Sequence, residues 1–173
     1  PNQFLVGPGS PPTALTPAVL SGESFRVEWA GATEPERLRL ESDLSSEAYV
    51  NLVTASRGGT TYMLGDSAPL YFTAPILYHS TYDRSPLGEL IRAHPHDPDA
   101  WAAGLWNLGV RHVLLNHWEL KRLHERSNWY DPDVSPDRAA TFLDGYATRI
   151  RDWPEVGRTL FLLKPPPGAE GGR

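Results

Sequence analysis

The sequence predicts an α/β fold in which short apolar strands alternate with helices. Three short apolar runs, at 60–64, 75–78 and 110–115, are each followed by a turn or a helical pattern. Two further strand patterns flank Pro154–Gly157, a spacing typical of a β-hairpin. Strands that alternate with helices indicate a parallel sheet with right-handed crossovers. We therefore expect a small three-layer domain, Rossmann-like in topology, with a mostly parallel sheet and a C-terminal β-hairpin.

Composition limits the classes of protein to which the chain can belong. Its 173 residues carry 16 Lys and Arg against 21 Asp and Glu, and the formal charge of −5 offers no basic surface for nucleic acid. Hydrophobic residues make up 40%, which is enough for a packed core. The lack of cysteine excludes disulfides, thiol catalysis and cysteine-bound zinc. No stretch approaches the ~20 apolar residues that span a bilayer.

Three regions are predicted along the chain. They are an extended, proline-rich lead-in at 1–23, a single α/β domain at 24–164, and a disordered Pro/Gly tail at 165–173. Apolar and charged residues alternate over 25–29, which is typical of a half-buried strand. The stretch 33–41 fits either a strand or a capped helix, and the helix is favoured. Whether these two segments join the sheet stays open, and the proline-rich ends suggest a domain cut from a larger protein.

Capping and turn signals define the central elements. A helix over Ser45–Ser56 ends at Gly58-Gly59, and two short strands follow it. Three later helices each begin with a capping residue and a proline. These pairs are Ser85-Pro86, Asp97-Pro98 and Ser135-Pro136. Val110–Leu115 is the clearest strand of the chain, and a helix from Trp118 to Arg126 follows it.

The sequence lacks several catalytic and cofactor motifs. The turn after the first strand, Gly65-Asp66, does not have the glycine pattern of dinucleotide-binding or phosphate-binding loops. No Gly-x-Ser-x-Gly segment provides a serine nucleophile, and no His-Glu-x-x-His segment provides a zinc site. His112 lies inside a strand, where we expect a hydrogen-bonded core imidazole. We therefore predict no catalytic residue, no cofactor and no metal.

Polar residues follow each of the three apolar strands. Ligands bind at the carboxyl ends of the strands in an open parallel sheet, so these residues are expected at one rim. The candidate ligand-binding residues are Asp66, Asp83, Arg84, Asn116, Glu119 and Arg122. Such a rim suits a divalent cation or the hydroxyl groups of a sugar. The alternative is structural: these side chains act as caps and ion pairs that hold loops against helix starts.

Three tryptophans lie in or beside predicted loops, namely Trp118, Trp129 and Trp153. An amphipathic ring in such a place suits a sugar face or a membrane interface. Packing in the core or against a loop is the commoner role, and we take it as the default for all three.

Four segments together resemble a known family. They are TYMLGDSAPLYF at 61–72, PILY at 75–78, YDRSPL at 82–87 and LGVRHVLLNHWELKRL at 108–123. In this order they resemble the soluble C-terminal domain of bacterial multi-pass membrane glycosyltransferases of the GT-C type, similar to dolichyl-phosphate-mannose-protein mannosyltransferases. The resemblance covers about residues 44–125. The turn Ser67-Ala68-Pro69 departs from the charged or arginine-containing turn that the family often has.

The resemblance implies a role beside a membrane enzyme. Glycosyl transfer from a polyprenyl-phosphate sugar would occur in the membrane part, which is the expected partner within the same polypeptide. This domain would lie on the extracytoplasmic (periplasmic) face, as a non-catalytic accessory or acceptor-binding or glycan-binding domain. The alternative is a stand-alone Rossmann-like transferase or hydrolase that uses a divalent metal at the strand ends. That alternative requires Asp66, Asp83 and Glu119 to converge on one point.

Overall fold

The structure is a computed structural model that describes residues 43–126 and 131–167, together with Thr33, Pro35 and Ala169. The chain divides into two compact units, Pro1–Asp43 and Leu44–Arg173, and every element described below belongs to the second. Of the sequence-based expectations, the lead-in at 1–23 and the strand at 25–29 lie outside the described residues. So do most of the helix at 33–41 and most of the tail at 165–173.

The described strands form one five-stranded mixed sheet in the order β2-β1-β3-β5-β4. The strands are β1 (Thr60–Leu64), β2 (Ile76–Leu77), β3 (Val110–Asn116), β4 (Ala147–Trp153) and β5 (Arg158–Leu163). Strand β1 runs parallel to β2 and β3, whereas β5 runs antiparallel to both β3 and β4. The α/β class and the C-terminal hairpin are therefore confirmed. The sheet is mixed because the hairpin inserts its second strand beside β3, so two of the four strand pairings are antiparallel.

The helices begin largely where the capping signals predict. They are α1 (Ser46–Arg57), α2 (Pro86–Ala93), α3 (Pro98–Asn107), α4 (His117–Arg126) and α5 (Pro136–Tyr146). The capping side chains of Ser85, Asp97 and Ser135 each accept a hydrogen bond from the backbone N–H three residues later, and proline occupies the first helical position. Among the described residues, no helix combines the length and apolarity needed to cross a bilayer.

Helices cover both faces of the sheet. On one face, side chains from α2 to α5 pack with those of the strands into the main apolar core. The strand residues of this core are Tyr62, Leu64, Val110, Val113, Leu115, Ala147, Phe161 and Leu163. On the other face, α1 places Val50 and Val53 in the interior, and its Thr54 hydroxyl lies 3.3 Å from that of Thr61. Burying both faces gives a small domain more apolar area than one face alone could supply.

His112 is a buried histidine in β3, on the same face as Thr61. Its side chain is 0% exposed, which confirms that the residue belongs to the core. The prediction that the ring is hydrogen-bonded is wrong, because neither ring nitrogen has a partner among the described residues. Burial, together with the positive charges of Arg57 and Arg111, lowers the pKa of His112 to about 4. The ring is therefore neutral at pH 7, and protonation opposes folding.

Replacing His112 with leucine is expected to flatten the acid side of the stability profile. The unfolded chain protonates this histidine near pH 6.5, whereas the folded protein does so only near pH 4. The lowered pKa thus leaves the free energy of unfolding unchanged above about pH 7 and reduces it by about 3 kcal/mol as the pH falls to 4. Urea unfolding of both proteins at several pH values measures the difference.

His96→Leu is the matched control, since it replaces an exposed histidine and leaves the buried imidazole of His112 in place. Parallel profiles for the wild type and His112→Leu between pH 7 and pH 4 would contradict the assignment of this acid sensitivity to His112.

Candidate functional site

The three parallel strands end together at one side of the sheet, which we call the carboxyl edge. Strands β2 and β3 lie on opposite sides of β1, an order that opens a crevice at the strand ends in open α/β sheets. A cleft of about 130 Å³ lies there, which we call the edge cleft. Its lining residues are Gly65, Asp66, Ser67, His79, Thr81, Glu119, Arg122 and Leu123. The cleft therefore combines the loops after β1 and β2 with the first turns of α4.

Gly65 allows the end of β1 to approach α4 closely. Its φ of +84° is in the left-handed region, which favours glycine. A Cβ atom at this position would lie 2.8 Å from the backbone oxygen of Asn116 and 2.8 Å from Cβ of Leu120. Only a residue without a side chain fits here, so Gly65 permits the close packing of the end of β1 against α4.

Asp66 is held by an arginine from the far end of the chain. Its Oδ2 lies 2.5 Å from Nη2 of Arg158, the first residue of β5, and the other terminal nitrogen of Arg158 donates to Glu47 in α1. These three side chains are only 12–22% exposed. Burial alone would raise the pKa of Glu47, but hydrogen bonds from its backbone N–H and from Arg158 lower it below the ordinary value.

Asn116 connects Asp66 to the start of α4. Its side-chain amide donates to Oδ2 of Asp66 at 3.3 Å, and its Oδ1 accepts a hydrogen bond from the Glu119 N–H at 3.1 Å. The second contact satisfies one of the free N–H groups at the helix start, as a capping asparagine does. Asn116 is buried beside the edge cleft. Its two hydrogen bonds fix two lining residues of the cleft, Asp66 and Glu119.

Glu119 and Arg122 form an ion pair along the wall of the edge cleft. The Arg122 Nε–H lies 3.1 and 3.0 Å from the two carboxylate oxygens, and Nη2 lies 2.7 Å from Oε2. The side chains are 39% and 48% exposed, so the pair remains accessible to a ligand. Two parallel contacts of this type hold both planar groups in a fixed orientation.

Asp83 and Arg84 are not brought to the cleft. Asp83 accepts hydrogen bonds from the backbone N–H and the hydroxyl of Ser80, at 3.1 and 2.6 Å, and so closes a local turn. Arg84 is 81% exposed and pairs with Glu89 at 3.2 Å. For these two residues the structural alternative describes what is observed.

The carboxylates do not form a cation site. Asp66 and Glu119 are each paired with an arginine, and Asp83 lies outside the edge cleft. Within 43–126 and 131–167, no three histidine or carboxylate side chains are grouped as metal ligands would be. The convergence that the metal-assisted enzyme requires is therefore not found in this arrangement.

Exposed apolar side chains occur in segments next to the edge cleft. Seven large apolar side chains of the described residues are exposed, and four of them lie in segments at the carboxyl edge. They are Tyr78 and Tyr82 after β2, Trp118 in α4, and Val156 in the β4–β5 turn. This turn is at the same edge because Arg158 pairs with Asn116 in the antiparallel register. Leu108 precedes β3 at the opposite edge, and Leu70 and Tyr71 lie in the connection from β1 to β2, where the Tyr71 carbonyl accepts a hydrogen bond from Asn51 in α1.

The tryptophans separate into two roles. Trp153 is buried, packs edge-on against Tyr49 and donates its indole N–H to the Leu44 carbonyl, so the packing expectation is confirmed for it. Trp118 is 59% exposed and lies over Gly157, where a Cβ atom would come within 2.5 Å of the ring. Trp129 lies outside the described residues.

Sequence reasoning missed Arg158, Glu47, His79 and Thr81 as neighbours of the site. The strand-end rule identifies residues that directly follow a strand, whereas Arg158 begins one and Glu47 lies in a preceding helix. For Arg158, the available sequence signal was a charged residue directly after the predicted hairpin turn Pro154–Gly157. His79 and Thr81 follow β2 and satisfied the same rule as Asp66.

No family model, curated protein or solved structure matches this chain. The resemblance to membrane glycosyltransferases therefore remains a prediction from the sequence.

Replacing Arg158 with methionine is expected to destabilise the protein by about 3 kcal/mol. The change leaves the carboxylates of Glu47 and Asp66 without their shared partner, and removing one member of a buried ion pair costs this much. Arg122→Met is the matched control, because its pair with Glu119 is exposed and should contribute less than about 1 kcal/mol. Equal unfolding free energies for the two variants in urea titration would contradict the structural role of Arg158.

Proposed function

We propose that this chain is a non-catalytic binding domain that recognises a glycan or glycosylated acceptor at the carboxyl edge. The observation that carries the proposal is the position of the exposed aromatic side chains beside a small polar cleft. Sugars present hydroxyl groups, which need both donors and acceptors, and apolar ring faces, which pack on aromatic side chains. The carboxyl edge offers both kinds of contact.

The polar contacts of the edge cleft suit hydroxyl groups. The Glu119 carboxylate accepts hydrogen bonds, and the Arg122 guanidinium donates them in a fixed plane. The hydroxyls of Ser67 and Thr81 can do either. Because Glu119 and Arg122 neutralise each other, a ligand without charge is not penalised for entering the cleft.

The paired carboxylates support a binding role over a catalytic one. Two-carboxylate hydrolysis of glycosides needs one carboxylic acid and one carboxylate facing each other across the scissile bond. Asp66 instead faces Arg158 at 2.5 Å, and Glu119 faces Arg122 at 2.7 Å. The arrangement holds the acidic groups as acceptors rather than as a proton donor and its partner.

The parallel part of the sheet supports a Rossmann-like interpretation of the fold. We interpret β2-β1-β3, with α2 and α3 connecting β2 to β3, as the parallel half of a Rossmann-like domain. The order of these strands around β1 supports the interpretation. The β4–β5 hairpin then extends that half with antiparallel strands.

From the sequence resemblance we further propose that the domain is part of a membrane-bound glycosyltransferase that uses a polyprenyl-phosphate sugar. In this proposal the domain lies on the extracytoplasmic (periplasmic) face, and its partner is the membrane-embedded catalytic portion of the same polypeptide. The exposed residues Tyr78, Tyr82 and Trp118 support a contact surface at the carboxyl edge, because large exposed apolar side chains near one another mark binding sites.

Glycan titration followed by NMR tests the proposal. Oligosaccharides of mannose or glucose should shift the amide signals of Asp66, Thr81 and Glu119. Glu119→Gln should weaken binding roughly tenfold, because it removes a charged acceptor. Tyr82→Ser should weaken binding without changing stability, since that side chain is 94% exposed.

Leu108→Ser is the matched control, because it removes an exposed apolar side chain at the opposite edge. It should bind glycans like the wild type. Shifts that are absent from the carboxyl edge at saturating oligosaccharide, or an equal loss in Leu108→Ser and Tyr82→Ser, would refute glycan recognition at this edge.

A further inference from the structure

A second and larger cleft lies over the antiparallel half of the sheet, and we call it the hairpin cleft. It has a volume of about 460 Å³, which is within the range of small-molecule sites. Its lining residues are Leu115, His117, Ala140, Leu143, Asp144, Ala147, Thr148, Arg149, Thr159, Phe161 and Lys164. Leu115, Leu143 and Phe161 are buried and form an apolar floor, while the polar residues stand around the rim.

Three polar side chains are connected in series at one end of the hairpin cleft. The Thr159 hydroxyl donates to Oδ1 of Asp152 at 2.7 Å. The Thr159 hydroxyl oxygen also lies 2.9 Å from Nε2 of His117. Thr159 is buried, and Asp152 is held from the other side by Arg149 at 2.5 Å. Burial alone would raise the pKa of Asp152, but hydrogen bonds from Arg149 and Thr159 lower it.

This series determines which ring nitrogen of His117 carries the proton. An ionised carboxylate only accepts, so Thr159 must donate its single proton to Asp152. The Thr159 oxygen is then the acceptor for His117, whose Nε2 must carry hydrogen. Burial lowers the pKa of His117, which favours the neutral ring. The neutral ring has one proton, so Nδ1 is left as an acceptor, and it has no partner among the described residues.

The charges around the hairpin cleft compensate one another. Arg149 is paired with Asp152, and the remaining charged residues of the rim, Asp144 and Lys164, have opposite signs. A charged ligand would therefore lose hydration without finding a net opposite charge. The apolar floor and Nδ1 of His117, which is unpartnered within the part of the chain that the structure describes, instead complement a neutral molecule with one donor.

We propose that the hairpin cleft binds a neutral, mainly apolar molecule that donates one hydrogen bond, from a hydroxyl or N–H group, to Nδ1 of His117. The apolar body of the ligand lies on Leu115, Leu143 and Phe161. Thr159 and Asp152 are positioning residues, since they act on the ligand only by fixing the proton of His117. The hairpin cleft is separate from the edge cleft, with no lining residue in common.

Four probes of nearly equal size test this proposal by NMR titration of the whole chain. Benzyl alcohol is neutral and carries a donor, toluene lacks the donor, benzoate is an anion, and benzylammonium is a cation. Benzyl alcohol should bind most tightly and shift the signals of His117, Leu143 and Phe161. Its advantage over toluene should be roughly 2- to 10-fold, the value of one neutral hydrogen bond.

Two variants separate the acceptor from its positioning. His117→Phe should reduce benzyl alcohol to the affinity of toluene, while His124→Phe, on the same helix but outside the hairpin cleft, should not. Thr159→Val should mix the two neutral tautomers of His117 in ¹⁵N ring spectra and weaken benzyl alcohol severalfold, leaving toluene unchanged. The wild-type ring should show the Nε2–H tautomer.

Four results would overturn the proposal. One is equal affinity for benzyl alcohol and toluene, and another is tighter binding of benzoate or benzylammonium. The third is an Nδ1–H tautomer of His117 in the wild type. Shifts confined to Asp66, Glu119 and Arg122 would also overturn it, because they would place the probes in the edge cleft.

Discussion

One guanidinium group joins three separate parts of the fold at the carboxyl edge. Arg158 begins β5 and reaches both Glu47 in the first turn of α1 and Asp66 in the loop after β1. The contact thus ties the helix on one face, the loop at the parallel strand ends and the hairpin to one another. Charges removed from water are stable only with partners in good geometry, so this cluster admits few alternative positions for the three elements. The orientation of Asp66 in the edge cleft depends on it.

Strand β3 and the helix that follows it organise the rest of the molecule. β3 has a parallel neighbour on one side and an antiparallel neighbour on the other, and a cleft lies near each half of the sheet. Asn116 ends the strand and caps α4 without an intervening loop. As a result α4 contributes to both clefts, with Glu119 and Arg122 in the edge cleft and His117 in the hairpin cleft. One strand and the helix that follows it therefore connect two chemically different surfaces.

The candidate site was predictable where it depends on the ends of strands. Asp66 and Asn116 directly follow or end parallel strands, and these strands meet at one edge. Asp83 and Arg84 follow β2 in the same way but find partners three and five residues away, in Ser80 and Glu89. A local partner turns such a side chain away from the shared edge, and the strand-end rule takes no account of it.

The features that could be predicted from the sequence are local ones. They are the positions where helices begin, the positions of turns, and the runs that are apolar enough to form strands. Capping, proline at the first helical position and glycine at positive φ act within about four residues, so their signals can be read directly. Tertiary structure alone decided that β5 lies beside β3, that Arg158 meets Asp66 and that His112 is buried without a hydrogen bond among the described residues. These outcomes depend on which distant surfaces are buried together. That choice minimises the free energy of the whole chain rather than of any one segment.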